Sequence, residues 1–474
     1  MNTERRHSGR LIAMLVAAAF VVVLNETIMG VAIPRLMNDL AISASTAQWL
    51  TTGFMLTMAV VIPLTGYILE RFTLRTVFFT AMGLFSTGTL VAAAAPGFVV
   101  LLAGRVIQAA GTAMMIPLLM TTVLNLVPPT RRGRMMGVIS IVISVAPTIG
   151  PTVSGLILSS LHWRWMFLIV LPIAVVTLGL GARWVQNATE TKRVKFDAPS
   201  VALSAFAFGG LVFGLGSIGE SATGHLAVPV WIPTAVGLTA LPVFIRRQLR
   251  LQRHDNALLD LRTFRSRPFG LAVVLVLTMN SALFGVLIIL PIYLQTVRGM
   301  TVLQAGLALL PGGLLMGLTA PIVGSMFDRY GPRPLVLPGM ALCTAALAAT
   351  TLFDPFTHIS AVVAAHSAIC LGFGLAITPL LTFALGSLPP HLYAHGSAMI
   401  STVQQFSGAA GTALFVTVMS IGSATSTAKA SDVGLATAHG VHLAFLCGAG
   451  LALVAVTLSP LIRETNRHQA STVV

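Results

Sequence analysis

The chain has 474 residues, of which 56% are hydrophobic and only 9% are charged. Because soluble globular proteins carry roughly 25% charged residues, this composition excludes an ordinary soluble enzyme. The formal net charge is +15, but no basic stripe carries the interleaved aromatic residues that stack on bases, so we expect no nucleic-acid partner. The three cysteines, Cys343, Cys370 and Cys447, lie in apolar runs and predict neither a disulfide framework nor a metal site.

The apolar residues occur in runs of about 20 residues separated by short polar segments, which is the length of a bilayer-spanning helix. We therefore predict an all-α polytopic membrane protein with fourteen transmembrane helices. In chain order they are residues 11–34, 46–69, 76–95, 98–121, 134–159, 163–184, 199–217, 228–245, 269–296, 302–326, 334–353, 359–384, 396–420 and 437–462. An even number of spans places both termini on the same side of the membrane.

The distribution of arginine and lysine orients these helices. Nearly all of the 28 cationic residues map to one side, which we assign to the cytoplasm because cytoplasmic loops carry the excess of Lys and Arg. Both termini are then predicted to be cytoplasmic. One predicted cytoplasmic loop, at about 388–396, lacks Lys and Arg and carries His391 and His395 instead. The cations that do not map inside are one residue within a span, Arg105, and four outside residues, Arg35, Arg164, Arg298 and Lys429.

The longest polar connection, from Arg246 to Pro268, divides the chain into two helical halves. We predict a six-helix bundle over residues 1–184, two extra helices and a cytoplasmic loop over 185–268, and a second six-helix bundle over 269–474. The connection is too short for a nucleotide-binding domain, and the sequence contains no G-x-x-x-x-G-K-[ST] loop. A transporter of this build takes its energy from an ion gradient or from the gradient of its substrate.

One ten-residue pattern occurs after the second and again after the tenth predicted helix. The stretch from Gly66 to Arg75 and the stretch from Gly324 to Arg333 both read G-x-x-x-acid-R-aromatic-x-x-R. This recurrence indicates an internal duplication, as in many secondary transporters. The glycine permits close helix approach, and the charged groups can form charge-assisted hydrogen bonds across the cytoplasmic gap. The alternative is a pair of topology anchors without a switching role. The predicted gate and conformational switch comprises Gly66, Glu70, Arg71, Arg75, Gly324, Asp328, Arg329 and Arg333.

Further motifs are R-V-I-Q-A-A-G from Arg105, A-P-T-I-G-P-T-V-S-G from Ala146, and L-L-D-L-R-T-F from Leu258. With the repeated loop, they resemble the major facilitator superfamily, specifically its fourteen-helix family of drug:proton antiporters. The resemblance implies two pseudo-symmetric six-helix bundles with two extra central helices, in a bacterial cytoplasmic (inner) membrane. It also implies efflux of drugs or other hydrophobic compounds, including cationic ones, by proton-coupled antiport and alternating access.

The substrate stays open at this stage. A dedicated exporter of a single metabolite or lipid on the same scaffold is the alternative, whereas a channel and an intramembrane enzyme are disfavoured. We expect a secondary active transporter rather than an enzyme, with no cofactor other than the proton as coupling ion. Its expected partners are membrane lipid and a small hydrophobic substrate, and we expect a monomer.

The chain departs from the family pattern at two places that matter for mechanism. The first-helix element that usually reads L-D-x-T here reads L-N-E-T, with Asn25 at the usual acid position and Glu26 beside it. A subgroup similar to bacterial lincomycin-resistance exporters also lacks that aspartate. In the first loop copy, Glu70 replaces the usual aspartate and Thr73 the usual glycine, which predicts looser gate contacts.

Glu26 is the only one of the 13 acidic residues well inside the predicted hydrocarbon layer, where an acid costs about 2.5 to 3.5 kcal/mol. Arg105 is the only cation at comparable depth. Both lie about 12 Å from the outer ends of their helices at a rise of 1.5 Å per residue. We therefore predict that Glu26 is the proton-coupling site and that Arg105 is its partner; a structural ion pair that never titrates is the alternative.

Other polar residues in the spans are candidate contacts of a substrate cavity. His366 is also a second candidate proton carrier, because histidine titrates near neutral pH. Each of these residues could instead only tie helices together. The candidates are Asn25, Gln108, Asn280, Gln295, His366 and Gln404.

The resemblance assigns Pro147, Gly150, Pro151 and Gly155 to the helix motif of antiporters. We expect Gly150 and Gly155 to admit a close neighbour and Pro151 to bend the helix, so that a tightly packed interface resists leakage. The alternative is that Gly and Pro are merely common in membrane helices.

Overall fold

A computed structural model describes residues 2–185, 196–217, 229–426 and 433–462. Lys429, one of the predicted outside cations, lies outside the described residues. The described ranges are helical and contain no β-strand. The α-helices are α1 (Asn2–Leu40), α2 (Ala44–Val61), α3 (Thr65–Arg71), α4 (Leu74–Ala93), α5 (Phe98–Leu126), α6 (Arg132–Ser160), α7 (Trp165–Trp184), α8 (Ala198–Ser204), α9 (Gly210–Gly216), α10 (Trp231–Leu251), α11 (Arg267–Ile292), α12 (Val302–Tyr330), α13 (Arg333–Thr350), α14 (Ile359–Gly386), α15 (Tyr393–Ala424) and α16 (Val433–Leu458).

Within the described ranges, 13 helical segments are long and apolar enough to cross a membrane. They coincide with all but one of the predicted spans. The exception, 228–245, corresponds to α10, which has 21 residues but carries the polar stretch 246–250 near its end. The apolar part, 231–245, extends only about 22 Å, against a hydrocarbon core of about 30 Å. The predicted all-α fold class is confirmed, whereas the fourteenth crossing stays a prediction.

Each half is a bundle in which small residues allow the closest helix contacts. In the first half α4 packs on α5 and α1 on α6, and in the second half α13 packs on α14 and α11 on α15. Gly88 of α4 and Gly104 of α5 face each other's helices, and a Cβ at either position would meet backbone atoms within 3 Å. Because lipid is as apolar as these side chains, helix association depends on such close packing rather than on hydrophobic burial.

The extra central helices contact both halves. α8, a π-helical turn at Ala205–Gly209 and α9 form one continuous helical stretch, and Gly210 and Gly214 of α9 pack against α10. Towards the first half, the ring of Phe213 stacks on Trp49 of α2 with centroids 5.6 Å apart. Towards the second half, Val212 shares a crevice with Gln405 of α15. This stretch therefore lies between α2 and α15.

A buried glutamine joins these helices to the central connection. Gln248 of α10 donates from Nε2 to Ser200 Oγ at 2.8 Å. Its Oε1 accepts hydrogen bonds from the amides of Leu258 and Leu259, at 2.8 and 3.3 Å. A fully buried amide group needs such partners, and here they hold α8, α10 and the start of the L-L-D-L-R-T-F segment together.

An ion pair lies beside Gln248 at the same end. Arg247 donates from Nε and Nη2 to the two carboxylate oxygens of Asp197, both at 2.7 Å. Asp197 is also the N-cap of α8 and accepts a hydrogen bond from the amide of Ser200 at 3.1 Å. These bonds lower the pKa of the Asp197 carboxyl to about 2, and the hydrogen bond from Arg247 has the largest effect.

We predict that Asp197→Asn lowers the free energy of unfolding by about 1 kcal/mol, because asparagine keeps an N-cap oxygen but loses the ion pair. The pKa of Asp197 is depressed from 3.8 to about 2, so this contribution is complete above the unfolded pKa and is lost as the pH falls through the folded one. Thermal unfolding of the purified protein should show a lower midpoint for the variant at about pH 7 and a smaller difference at about pH 3. Equal midpoints at neutral pH would contradict this assignment.

Candidate functional site

A buried polar cluster around Arg105 links α1, α4 and α5. Arg105 is 1% exposed, and its Nη1 donates to Asn25 Oδ1 at 3.2 Å and to Gln108 Oε1 at 2.6 Å. Gln108 donates in turn from Nε2 to Thr89 Oγ1 at 2.7 Å, and the Thr89 hydroxyl donates to the carbonyl of Phe85 at 2.6 Å. Because a guanidinium can only donate, both amides turn their oxygens towards it. These hydrogen bonds fix the orientation of Arg105 and of both amides.

An aromatic ring completes the surroundings of this cation. The Arg105 Cζ lies 4.1 Å from the centroid of the Phe54 ring in α2, a cation–π contact that gains strength when desolvated. The Arg105 Nε has no hydrogen-bond partner among the described residues. The sequence did not indicate Phe54 or Thr89 because one phenylalanine or threonine in an apolar run carries no distinguishing pattern.

Glu26 follows Asn25 on α1 and is partly exposed. Among the described residues, no ion pair within 4.0 Å joins it to Arg105. Arg105 attracts the charge of Glu26 through space instead, an interaction that an apolar interior screens weakly. Asn25, at the position that usually carries the acid, takes the direct contact with Arg105. Gln108 bonds Arg105 and Thr89. Arg105 is thus an electrostatic rather than a hydrogen-bonded partner of Glu26, whose coupling role stays a prediction.

Three candidate cavity residues lie in the second half. Asn280 of α11 is 4% exposed, and its Nδ2 has no hydrogen-bond partner within the described ranges. An unmade hydrogen bond of this kind costs about 1 to 3 kcal/mol, so Asn280 is a candidate to bind a ligand. Among the described candidates it shares this property with His366, whose Nδ1 also has no hydrogen-bond partner. Gln295 lies in a π-helical turn at Tyr293–Val297, near the outer end of its span, and Gln404 of α15 is partly buried.

His366 of α14 lies in a packing environment inside the second half. It is 2% exposed, and its Nε2 lies 3.5 Å from Cys370 Sγ on the same helix. Its ring also packs on Gly312 of α12, where a Cβ would lie 2.6 Å from Cδ2. These contacts favour a packing role for His366 over a role as proton carrier.

The predicted antiporter-motif helix, α6, packs against α12 across the two halves. A Cβ at Gly133 or Gly137 of α6 would clash with the backbone of α12. Conversely, a Cβ at Gly313 or Gly317 of α12 would clash with side chains of α6. Glycines from both helices thus bring their backbones together along much of this interface.

The residues of the predicted antiporter motif differ in how closely they pack. Gly150 contacts Thr27 of α1 so closely that a Cβ would overlap the threonine side chain. Gly155 has no neighbour within 4 Å of a Cβ and is exposed, so the predicted close neighbour at Gly155 is wrong. Ser154 beside it is fully buried, so Gly155 lies on the outward face of a helix that is still packed. Pro147 lies within the uninterrupted helix α6. The side chain of Pro151 lies outside the described residues.

The second copy of the repeated loop closes on the first half. Asp328 accepts hydrogen bonds from the amides of Gly133 at 2.7 Å and of Arg134 at 2.8 Å. These amides begin α6, where unpaired N–H groups and the helix dipole favour a negative charge. Gly324, one turn earlier, packs directly on the backbone of Gly133.

The first copy closes on the second half through different chemistry. Glu70 Oε2 lies 3.1 Å from His395 Nε2 in the first turn of α15, and a Cβ on Gly66 would lie 2.7 Å from His395 Nδ1. Glu70, which is one methylene longer, contacts a side chain, whereas Asp328 contacts backbone amides. At 3.1 Å the Glu70 contact is not the looser contact that the sequence predicted. Thr73 caps α4 by accepting a hydrogen bond from the amide of Thr76 at 3.2 Å. A threonine serves there because φ is −67°, whereas the equivalent Gly331 has φ of 79°.

The arginines of the two loops do not cross the gap. Arg75 donates to the carbonyl of Ala182 in its own half at 3.3 Å, and Arg329 lies over the ring of its neighbour Tyr330. Arg71 and Arg333 are exposed and form no hydrogen bond or ion pair with another described residue. The predicted gate therefore depends on the acids and glycines of the motif, while the arginines stay within their own halves or face outward.

Other residues add polar contacts between the halves at the same end. Arg132 donates to Tyr393 Oη at 3.0 Å, and Thr378 donates to Ser140 Oγ at 2.8 Å. With the Glu70 and Asp328 contacts, they close the end that the arginine distribution assigns to the cytoplasm. A signal for His395 existed in the sequence, because its loop is the predicted cytoplasmic loop that lacks Lys and Arg.

Comparison with known proteins identifies the family. A family model described as "Major Facilitator Superfamily" matches residues 15–412. The chain belongs to the major facilitator superfamily. It is 40% identical over 461 residues to the lincomycin resistance protein LmrB of Listeria monocytogenes, covering 96% of this chain and 97% of LmrB. It is also 30% identical over 425 residues to the multidrug export protein EmrB of Escherichia coli, covering 86% and 80%.

Solved structures agree with the fold. The proton:xylose symporter XylE superposes with a TM-score of 0.64 at 15% identity, covering 97% of this chain and 96% of XylE. FucP in the outward conformation gives a TM-score of 0.61 at 13% identity, covering 97% and 100%. The predicted family and major facilitator fold are confirmed. This superfamily transporter is a multi-pass protein of the bacterial inner membrane.

We predict that Gly133→Val prevents the close approach of α6 and α12, because its added atoms would overlap the backbone of Gly324 and the side chain of Asp328. Overpacking of this kind costs about 1 to 3 kcal/mol or more. Transport should fall and the cytoplasmic end should become more accessible to thiol reagents at a cysteine introduced nearby. The matched control on the same helix is Gly155→Val, which faces open space and should transport like wild type. Equal behaviour of the two variants would refute the interface described for α6.

Proposed function

We propose that this protein exports drugs or other hydrophobic compounds by proton-coupled antiport, with Glu26 as the coupling acid. The observation that carries the proposal is the Arg105 cluster: a buried cation whose direct partners are neutral, beside an acid that is not bonded to it. The nearly full-length similarity to LmrB and EmrB supports drug efflux. The likeness to XylE shows the fold alone.

The electrostatic arrangement supports coupling through Glu26. A guanidinium buried among apolar helices is costly without an opposite charge, and Asn25, Gln108 and Phe54 supply none. Ionised Glu26 supplies it through space. When Glu26 binds a proton or a cationic substrate, its attraction for Arg105 weakens. The energy of the helix arrangement around α1 and α5 then changes as well. Loading from outside and release inside would then drive export.

The same arrangement bears on the substrate. Glu26 is partly exposed while Arg105 is buried, so a substrate meets a carboxylate rather than a guanidinium. This favours amine-bearing lipophilic compounds, which can compete with the proton for Glu26. The unpartnered Nδ2 of Asn280 offers a donor to a substrate carbonyl or hydroxyl from the opposite half. A dedicated exporter of one metabolite or lipid would use the same groups.

We predict that Glu26→Gln abolishes substrate-induced proton movement in everted membrane vesicles, because the variant keeps the shape of the side chain but cannot ionise. Lincosamides and a panel of lipophilic cations serve as substrates, and membrane expression is compared in parallel. Asp39→Asn is the matched control on the same helix, since Asp39 pairs with Arg35 near the outer end of α1 at 3.5 Å. It should exchange like wild type.

Exchange by Glu26→Gln at the wild-type rate would contradict the coupling role. If wild-type vesicles respond to no compound in the panel, the proposal of drug efflux fails in favour of a dedicated exporter.

We predict that Arg105→Lys slows transport by about ten-fold, because a lysine keeps the charge but cannot bond both amides while it lies over Phe54, and each charge-assisted hydrogen bond contributes about 1.5 kcal/mol or more. Initial rates of substrate uptake into everted vesicles measure the effect at matched expression. A rate equal to wild type would mean that charge alone, without the orientation of the guanidinium, is sufficient.

A further inference from the structure

The central connection contacts the cytoplasmic gate at one residue. Leu258 and Leu259, which begin the L-L-D-L-R-T-F segment, are 2% and 1% exposed, so the segment is packed into the protein. The amide of Asp260 donates to His395 Nδ1 at 3.4 Å. The Asp260 carboxylate is bound by Arg262, with the Nη2 to Oδ2 distance at 2.6 Å. The segment is thus held next to α15 with its acid already paired.

His395 therefore joins three parts of the chain. It belongs to α15 of the second half, its Nε2 contacts Glu70 of the first half at 3.1 Å, and its Nδ1 contacts the central connection. The imidazole is 3% exposed and packs on Gly66. In this closed arrangement the ring is nearly excluded from water, whereas separation of α3 from α15 would expose it to the cytoplasm.

The hydrogen bonds indicate which protons the ring carries. Because an amide only donates, Nδ1 accepts from Asp260, and in the neutral ring the proton lies on Nε2 and is donated to Glu70. A second proton would make the ring a cation 3.1 Å from the Glu70 carboxylate. Its cost is the loss of the long, weak hydrogen bond from the Asp260 amide. The hydrogen bond to the Glu70 carboxylate remains, and the new positive charge adds a Coulomb attraction that a nearly buried site screens weakly. This added attraction exceeds the loss of one weak hydrogen bond.

The surrounding charges do not reverse this balance. Of the described residues near the ring, Glu70 on α3 and Asp260 on the connection are acidic. Arg262 neutralises Asp260, and Arg132 of α6 is engaged by Tyr393, two residues before His395. Asp328 is occupied at the other half of the gate by the amides that begin α6.

We propose that His395 is a positioning residue of the cytoplasmic gate and that its protonation from the cytoplasm strengthens the closed gate. The ring takes up a proton when the gate opens inward, and the resulting ion pair with Glu70 draws the halves together. An acidic cytoplasm therefore holds the protein closed on the inside and slows reopening. The consequence for export rests on the proposed function; the effect on the gate does not.

The test measures the gate directly, without a gradient or substrate. Spin labels at Asn125→Cys and Gly386→Cys, two exposed positions at the cytoplasmic ends of α5 and α14, report the separation of the halves in lipid nanodiscs. The three native cysteines are replaced by alanine in the full chain. Electron–electron distance distributions are recorded between about pH 8 and about pH 6, the range in which histidine ordinarily titrates.

We expect the ratio of closed to open gate to rise about five-fold over this range, the lower end of ordinary coupling between two sites. His391→Gln, an exposed histidine of the same loop, should keep the rise. Combined with Glu26→Gln, which removes the pH dependence of the proposed coupling acid, His395→Gln and Glu70→Gln should each abolish it. Glu26→Gln should keep it, which separates the gate from the proposed coupling site.

Three results would overturn the proposal: no rise in the wild type, a rise that persists when His395→Gln is combined with Glu26→Gln, or a rise that disappears in Glu26→Gln alone. If His395→Gln does not fold, Glu70→Gln decides alone, because it leaves the histidine in place and removes only its acidic partner. A failure of drug-induced proton exchange with an intact pH-dependent gate would count against the proposed function and not against the role of His395.

Discussion

A guanidinium buried among apolar helices constrains the core of the first half. Arg105 cannot lose its charge, and no described carboxylate lies within ion-pair distance, so neutral groups from several helices must converge on it. Asn25 comes from α1, Phe54 from α2, Thr89 from α4 by way of Gln108, and the arginine itself from α5. The relative positions of these four helices are therefore tied to one cation. A change in the charge of Glu26 on α1 would change the electrostatic energy at the junction of these four helices, as the proposed coupling role requires.

The two copies of the repeated loop show how a duplicated sequence can serve one role with different chemistry. Asp328 is short and close to a helix N-terminus, so it binds amide N–H groups that are always available. Glu70 is one methylene longer and meets His395, whose donor capacity depends on protonation. The contact of Asp328 thus uses backbone amide donors, while the contact of Glu70 uses the imidazole on which the proposed pH response rests. The glycines of both copies serve alike, because each lets a partner helix approach.

The extra helices are more than a spacer between halves. α9 contacts α2 through Phe213 and α15 through Val212, and its glycines keep α10 close behind it. At the cytoplasmic end, Gln248 and the Asp197–Arg247 pair hold the helices to the connection that reaches His395. The central segment thus contacts both halves in the membrane and the gate below it. Motion between the halves must alter some of these contacts, so the segment takes part in any change of conformation.

The sequence alone determined the class of the molecule and much of its plan. Long apolar runs fix helices across a bilayer because no other structure satisfies the backbone there, and thirteen of the predicted spans were recovered. The duplicated motif marked the two loops whose acids contact the opposite half, and the rarity of charges in the spans singled out Glu26 and Arg105; the gating and coupling roles stay predictions. The span over α10 stays a prediction because its apolar part is shorter than the hydrocarbon core.

Only the tertiary structure decided which groups meet. It gave the direct contact with Arg105 to Asn25 instead of Glu26, brought His395 to Glu70, and left Gly155 without a neighbour while Gly133 became an interface residue. The physical reason is that helix periodicity states which residues share a face but not which helix lies opposite. A contact across 80 residues, as between Asn25 and Arg105, or across 261, as between Arg132 and Tyr393, depends on how the whole bundle packs.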